Sequence, residues 1–275
     1  MGGRRALNTP VWLQAVILGL VQGMTEFFPV SSSAHLLLFP ELFGWNYLGK
    51  SFDVALHLGT LGALAVYLRP QLDELLKTAR HPRAASPRQR RLLLALMVAT
   101  APAAVIGWLF QEVFEGPLGG LAPMAVMLVV WAVLLDRADR FPVRRASAQE
   151  LGWLHLVWLG LAQAAALMPG TSRSGATMAA GRSVGLSRAE SARFSFLLSM
   201  PLVAGAAGYK LLKLLLSPPD WGLLGPSLIG MVAAGASGLV CIRALAAYLE
   251  RASFRPFVVY RIGLAMFMLA WALAR

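Results

Sequence analysis

The sequence predicts an all-α polytopic membrane protein with six transmembrane helices plus two re-entrant helical hairpins, arranged as an inverted-topology repeat. Of its 275 residues, 57% are hydrophobic and only 14% are charged, whereas soluble domains carry about 25% charged residues. Apolar runs of roughly 20 residues, the length that spans a bilayer, recur along the chain. Polar clusters interrupt two further apolar regions.

Six uninterrupted apolar runs are long enough to cross a membrane. They lie at about 52–68, 91–110, 120–136, 193–215, 224–248 and 256–274. The whole chain, 1–275, is predicted to form a single integral membrane domain. Cys241 is the only cysteine, which excludes an intrachain disulfide and a cysteine-based metal site.

Two other regions, 11–43 and 151–185, are each too long for one helix and too broken to cross cleanly. Pro29 and three serines interrupt the first, and MPGTSRSG (168–175) interrupts the second. Broken backbone at membrane depth persists only where protein buries it or where it lines a wet cavity. Each region therefore predicts a helix, a polar break and a second helix, which together form a re-entrant hairpin.

The net charge of +12 does not predict a nucleic-acid partner, because the arginines cluster in short loops between apolar runs. That pattern sets membrane orientation. The basic loops 69–91 and 137–150 are expected in the cytoplasm, whereas the acidic loop 111–119 suits the outside. The first hairpin then enters from outside and the second from the cytoplasm, so that the two breaks can meet near the midplane.

The two halves of the chain also echo one another. GLVQ (19–22) precedes PVSSS (29–33), and GLAQ (160–163) precedes PGTSR (169–173), at an offset of about 140 residues. Similar segments with opposite entry are typical of inverted repeats, whose interrupted helices form sites at the bilayer midplane. The predicted pseudo-repeats extend over about 11–136 and 151–274.

The first break combines a helix start with ionisable side chains. Pro29 ends one helix, and a following serine caps the next, whose N-terminus favours anions. If that helix begins near Ser32, His35 lies one turn on, which places an imidazole near a hydroxyl as in base-activated nucleophiles. Gln22 and Glu26, four residues apart, share one face of the incoming helix.

The second break offers tight backbone, hydroxyl groups and a single cation, Arg173. Glycines, hydroxyls and an arginine at a helix start can hold phosphate through backbone N–H groups and the guanidinium fork. Ionisable residues inside a membrane are costly and mark function by default. Elsewhere, Asp53 and His57 form an i, i+4 pair for which a structural role is expected. Arg261 is expected to snorkel or to face polar protein.

The segments GLVQGMTEFFPVSSSAHL (19–36) and MPGTSRSGATM (168–178) resemble the two signature segments of bacterial undecaprenyl-diphosphate phosphatases of the bacitracin-resistance type. FSFLLSMP (194–201) and RASFRPFVVYR (251–261) are similar as well, so the resemblance covers essentially the whole chain. It implies removal of the terminal phosphate of a C55 polyprenyl diphosphate in the bacterial cytoplasmic (inner) membrane. The product is the monophosphate lipid carrier of cell-wall synthesis. It also implies a divalent cation, Mg²⁺ or Ca²⁺.

Carried over residue by residue, the resemblance makes Ser32 the proposed nucleophile and His35 the histidine beside it. Glu26 falls at the second acidic position of the first motif and is expected to hold the metal. Arg173 matches the essential arginine of the second motif. The first acidic position can be glutamate in the family, but Gln22 stands there, which leaves one carboxylate fewer for a metal.

The expected catalytic residues are therefore Ser32, His35, Glu26 and Arg173. The expected substrate-binding residues are Gln22, Ser31, Ser33, Gly170, Thr171, Ser172, Ser174, Gly175 and Thr177. The prenyl tail is expected to stay in lipid while the diphosphate enters a polar cavity open to the outer face. Either Ser32 attacks the terminal phosphorus with His35 as base, or His35 activates water. A lipid-phosphate flippase or transporter that uses the same midplane site is the alternative. The sequence leaves a homodimer open.

Overall fold

The computed structural model describes residues 9–110, 120–144, 147–215 and 221–274, and the acidic loop 111–119 lies outside these ranges. The described chain is helical, which confirms the all-α class. The helices are α1 (Val11–Phe27), α2 (Ser32–Phe43), α3 (Lys50–Tyr67), α4 (Arg69–Arg80), α5 (Pro87–Leu109), α6 (Leu121–Asp139), α7 (Trp153–Ala165), α8 (Arg173–Ser183), α9 (Arg188–Leu215), α10 (Trp221–Leu249) and α11 (Arg255–Leu273), with a short 3₁₀ helix at Ala148–Glu150.

Five of the described helices, α5, α6, α9, α10 and α11, are long and apolar enough to cross a membrane. A sixth span results if α3 and α4 count as one unit, which is bent by 86° between the two helices. Five of the six predicted spans thus correspond to α5, α6, α9, α10 and α11. The remaining one, 52–68, falls on α3, which is counted as a span only together with α4.

Helix α4 corrects the prediction that 69–91 is a loop throughout. Pro70 lies in the first turn, where proline is tolerated, and Lys77 and Arg80 lie in the last turn, where cations are favourable. The charges that predict a cytoplasmic loop are therefore carried partly by a helix. Its sharp bend from α3 suits a helix that lies along a membrane surface.

Both predicted hairpins have the expected helix, break and helix. Helix α1 has 17 residues and α7 has 13, so each is shorter than the roughly 20 residues that span a bilayer. The first break has a local cause, because the residue before a proline is pushed to extended backbone. Phe28, which precedes Pro29, has φ −65° and ψ 141° and ends α1.

Matching backbone geometry begins the second helix of each hairpin. Ser31 and Ser172, which directly precede α2 and α8, have φ of 72° and 68° and are the only non-glycine residues with positive φ in the described chain. Such conformations cost about 1–3 kcal/mol each and persist only where the surrounding structure enforces them. The equivalence supports the predicted repeat, whose inverted orientation in the membrane remains a prediction.

Helix α10 packs between α1 and α3 through small residues. Gly19 lies against Gly230, and Gly23 lies against the backbone of Ala234. The step from Gly19 to Gly23 along α1 matches the step from Gly230 to Ala234 along α10, so the two helices run parallel. Gly59 of α3 approaches the backbone of Met231 on α10 equally closely. Because lipid provides no hydrophobic drive between helices, such close backbone approach is a main source of stability in membranes.

A second parallel pair of helices also joins the two halves. Gly160 of α7 lies against Ala99 of α5, and Leu167 contacts Gly107, so α5 and α7 run parallel, as α10 and α1 do. Helices α6 and α11 pair antiparallel, because Phe254 contacts Asp139 near one end and Arg261 contacts Leu128 further along. Antiparallel pairing is what counterparts in an inverted repeat show.

A charged cluster at the end of α6 joins four helices. Asp139 accepts hydrogen bonds from Arg188 at 2.6 Å and from the Phe254 backbone N–H at 3.2 Å. Arg182 lies 3.6 Å from the same carboxylate and donates to the carbonyls of Asp139, Leu186 and Phe141. The cluster therefore fixes α6 against the ends of α8, α9 and α11.

Replacing Gly59 by alanine should lower the thermal midpoint in detergent, because the added Cβ would collide with the backbone of Met231 on α10. Gly62→Ala on the same helix is the matched control, since a Cβ added there would have no atom within 4 Å. At that position the only expected effect is the gain in helix propensity, about 1 kcal/mol, so the midpoint should not fall. Equal midpoints for the two variants, measured by thermal unfolding, would contradict the described packing.

Candidate active site

The side chain of Glu26, at the end of α1, connects the two breaks. Its Oε1 accepts a hydrogen bond from Nη2 of Arg173 at 2.6 Å. Its Oε2 accepts one from Oγ of Ser32 at 2.7 Å and one from Nε2 of Gln22 at 3.1 Å. Arg173 and Ser32 are the first residues of α8 and α2. The starts of both half-helices therefore converge on one carboxylate.

Each break carries a hydrogen-bonded serine pair in the same arrangement. The hydroxyls of Ser31 and Ser33 lie 3.1 Å apart, and those of Ser172 and Ser174 lie 3.2 Å apart. In each pair the first serine is the positive-φ residue, and the second lies in the first turn of the helix. The local structure of the two breaks is therefore alike, although only the second carries an arginine.

The second serine of each pair reaches across to the other break. Ser33 accepts a hydrogen bond from the backbone N–H of Gly170 at 3.4 Å. Ser174 donates to the backbone carbonyl of Phe28 at 3.0 Å. These reciprocal contacts satisfy backbone groups that the breaks leave free, as non-helical backbone at membrane depth requires.

Arg261 of α11 is fully buried and ties the two breaks together. It donates to the carbonyl of Pro29 at 3.0 Å in the first break. In the second break it donates to the carbonyls of Gly170 at 3.3 Å and Thr171 at 2.8 Å. A further bond, 3.2 Å long, reaches the carbonyl of Leu128 in α6. Arg261 thus faces polar protein, one of the two alternatives that the sequence leaves open.

His35 does not hydrogen-bond to Ser32 in the described structure. Its Nδ1 lies 2.7 Å from the carbonyl of Ser31 and its Nε2 lies 2.7 Å from the hydroxyl of Tyr260. The Ser32 hydroxyl instead donates to Glu26. Spacing in α2 brings the two side chains to one helix end, but the nearest proton acceptor of Ser32 is a carboxylate rather than the imidazole.

Several polar atoms at this centre remain free to bind a ligand. Nη1 of Arg173, Oγ1 of Thr171 and Oε1 of Gln22 are buried and have no hydrogen-bond partner among the described residues. No side chain caps the first turn of α2, whose N-cap is Ser31. Uncapped N–H groups at a helix start and an unpaired guanidinium nitrogen together form a site for an anion such as phosphate.

Other predicted binding residues make contacts within the protein. Ser172 caps α8 by accepting from the backbone N–H of Gly175 at 3.2 Å. A Cβ on Gly175 would lie 2.9 Å from Arg261, so this glycine leaves room for the guanidinium. Thr177 donates to the carbonyl of Arg173 at 2.8 Å and shares a 2.5 Å hydrogen bond with Ser195. These contacts position the start of α8.

A divalent cation has few protein ligands here. Among the described residues no three His, Cys, Asp or Glu side chains form a cluster. Mg²⁺ and Ca²⁺ take oxygen ligands, and Mg²⁺ is often held by one or two carboxylates plus substrate phosphates and water. Glu26 and the unpartnered Oε1 of Gln22 supply two oxygens. The residues therefore fit a cation that takes most of its ligands from a phosphorylated substrate.

Three residues near the centre carry more than the sequence pattern reveals. Tyr260 and Arg261 are adjacent on α11, and their sequence signals are the polar YR pair inside an apolar run and its place at the end of the family-like segment 251–261. Nδ1 of His57 lies 2.7 Å from the backbone carbonyl of Asp53, and the Asp53 carboxylate accepts a hydrogen bond from Tyr47. His57 also lies near enough to Glu26 for a charge interaction.

The fold and this centre define a polytopic helical membrane protein in which two broken helices build one polar site. Residues 15–267 match the family described as Bacitracin resistance protein BacA, and the chain belongs to that family. Similar proteins include the undecaprenyl-diphosphatases of Teredinibacter turnerae (40% identity, 93% of this chain and 97% of the relative), Alcanivorax borkumensis (41%, 94% and 98%) and Pelotomaculum thermopropionicum (42%, 94% and 97%).

Replacing Arg261 by methionine should lower the free energy of unfolding by at least about 3 kcal/mol, because each buried carbonyl left without a donor costs about 1–3 kcal/mol. Arg261→Lys should lie between methionine and the natural residue, since an ammonium cannot reproduce the planar fork. Denaturant titration in mixed micelles measures both. Arg243→Met, at an exposed position on α10, is the control. Equal losses of unfolding free energy at positions 261 and 243 would contradict the conclusion that Arg261 holds the two breaks together.

Proposed function

We propose that this chain is a membrane phosphatase that hydrolyses undecaprenyl diphosphate to undecaprenyl phosphate and inorganic phosphate. The reaction recycles the lipid carrier for peptidoglycan synthesis. Family membership and the names of the relatives support the substrate. The observation that carries the chemistry is the convergence of Ser32 and Arg173 on Glu26. A nucleophile (Ser32), a proton acceptor (Glu26) and a phosphate-binding guanidinium (Arg173) then lie within one hydrogen-bonded group.

The free donors at the centre bind the diphosphate. Nη1 of Arg173 and Oγ1 of Thr171 have no partner among the described residues, and the start of α2 presents uncapped N–H groups toward the same break. Helix N-termini and guanidinium groups are common phosphate partners. Phosphoryl transfer depends mainly on positioning and on charge stabilisation. This arrangement therefore supplies most of what the reaction needs before any covalent step.

The covalent step follows from the Ser32 hydrogen bond. Oγ of Ser32 attacks the terminal phosphorus, the bond from that phosphorus to the bridging oxygen breaks, and undecaprenyl phosphate leaves. The Ser32 proton moves to Oε2 of Glu26, 2.7 Å away. Water then attacks the phosphoserine, inorganic phosphate leaves, and Oγ recovers its proton from Glu26. Glu26 is thus the base for the Ser32 hydroxyl, a role that spacing alone suggests for His35. His35 instead activates the water.

A divalent cation, Mg²⁺ or Ca²⁺, belongs to the proposal through the family resemblance. Glu26 and the amide oxygen of Gln22 would hold it together with substrate oxygens. When bound, it supplies further neutralisation of the diphosphate charge. Because Glu26 already accepts hydrogen bonds from Arg173 and Ser32, the protein contributes few cation ligands. Bound substrate should therefore raise the affinity of the site for the cation.

The proposed location is the bacterial inner membrane, with the site open to the outer face. The distribution of basic residues between the loops supports this orientation. The prenyl tail stays in lipid beside the helices while the diphosphate enters the break. A homodimer is not required by this chemistry, because the nucleophile, its proton acceptor and the phosphate-binding arginine all come from one chain.

Ser32→Ala and Arg173→Ala should each reduce phosphate release from undecaprenyl diphosphate by about 100-fold or more, the usual cost of losing a group that stabilises the transition state. The measurement uses purified protein in detergent, where transport is impossible. Arg193→Ala, which removes an exposed arginine, should retain the natural rate. Binding of the lipid without any turnover by the natural chain would favour a transporter and contradict the phosphatase.

Rapid quenching of the reaction should trap a phosphoserine at residue 32. The proposed attack by Oγ forms this ester before water enters. Substrate labelled with ³²P in the terminal phosphate, followed by proteolysis and peptide mapping, detects it. Full turnover by a Ser32→Ala variant with no labelled protein at any time would instead indicate direct attack by water.

A further inference from the structure

The two ring nitrogens of His35 have fixed and different roles. A carbonyl oxygen can only accept, so the 2.7 Å contact with Ser31 requires that Nδ1 carries a proton. In the neutral ring Nε2 is then the acceptor. The hydroxyl of Tyr260, 2.7 Å away, therefore donates to Nε2. The two rings are nearly parallel, with an angle of 4° between their planes.

His35 is closed off from its surroundings, whereas Tyr260 is not. His35 is 4% exposed and Tyr260 is 48% exposed. Both nitrogens of His35 are already bonded. A proton from a water molecule at the phosphorus can therefore reach Nε2 only through the tyrosine hydroxyl, unless the imidazole leaves its place.

The tyrosine is held where such a transfer can occur. Tyr260 is the neighbour of Arg261, which is bound to the carbonyl of Pro29. His35 is bound to the carbonyl of Ser31, two residues further on. Residues 260 and 261 of α11 thus reach the same break, one through a histidine and one directly. Since His35 lies one helical turn from Ser32, the tyrosine hydroxyl lies beside the first turn of α2.

We infer that Tyr260 is a catalytic relay that passes the proton of the attacking water to His35. This inference rests on the proposed function and concerns its second step. As the water oxygen bonds to phosphorus, its proton moves to Oη of Tyr260 and the tyrosine proton moves to Nε2 of His35. The bond between phosphorus and Oγ of Ser32 breaks, and Oγ takes the proton held by Glu26. His35 later returns its proton through Tyr260 to the released phosphate.

Tyr260→Phe separates the two chemical steps. The ring is retained and only the hydroxyl is lost, so formation of the phosphoserine should proceed while its hydrolysis slows about 100-fold, a usual effect of losing acid–base assistance. Rapid-quench assays with undecaprenyl diphosphate should show a burst of one undecaprenyl phosphate per protein, then slow turnover with labelled protein present. Tyr248→Phe is the matched control, because that hydroxyl donates to the carbonyl of Ser253, away from both breaks.

Two outcomes would overturn the relay. One is natural turnover by Tyr260→Phe. The other is a uniform loss of rate without a burst and with a lower thermal midpoint, which indicates a structural role alone. His35→Gln provides an independent check, because the double variant with Tyr260→Phe should be no slower than the slower single variant. Losses that multiply would show that the two residues act separately. Turnover by the natural chain tests the phosphatase itself, so the two failures are distinguishable.

Discussion

The buried guanidinium of Arg261 is the interaction on which the site depends. Two helices end at the breaks, and each break frees carbonyl groups that need hydrogen-bond donors from the protein. An arginine has five donors in a rigid fork, and this one serves carbonyls of Pro29, Gly170, Thr171 and Leu128. One side chain therefore satisfies both breaks and holds them in contact.

That contact explains how the site is organised. The positive-φ serines at 31 and 172 are conformations that need enforcement, and carbonyls that Arg261 binds lie close to them in the chain. With the two turns fixed, α2 and α8 begin with Ser32 and Arg173 directed at Glu26. Groups positioned in this way need little reorganisation during phosphoryl transfer, which is where electrostatic catalysis gains most.

The sequence predicts what depends on local pattern. Run lengths predict the spans, and Pro29 with the serines predicts the first break and the start of α2 at Ser32. Contacts between distant segments cannot be predicted from local pattern. A lone arginine in an apolar run is equally compatible with snorkelling and with burial, so the role of Arg261 emerges only once α11 lies against both breaks. Likewise, i+3 spacing brings His35 near Ser32, but the carbonyl of Ser31 determines which way the ring is bonded. The sequence does not predict helix α4, because the charged residues of 69–80 favour a loop.

The central claim is that the two breaks form one site through Glu26 and Arg173, which lie 2.6 Å apart. A double-mutant cycle on the free energy of unfolding, with Glu26→Gln, Arg173→Gln and the double variant, tests it without reference to activity. Each single change leaves a buried charge unpaired, so the account predicts that the double variant is more stable than the sum of the two losses implies, by about 1–3 kcal/mol. Losses that add to within about 0.5 kcal/mol would show that the two residues do not interact and would contradict the account.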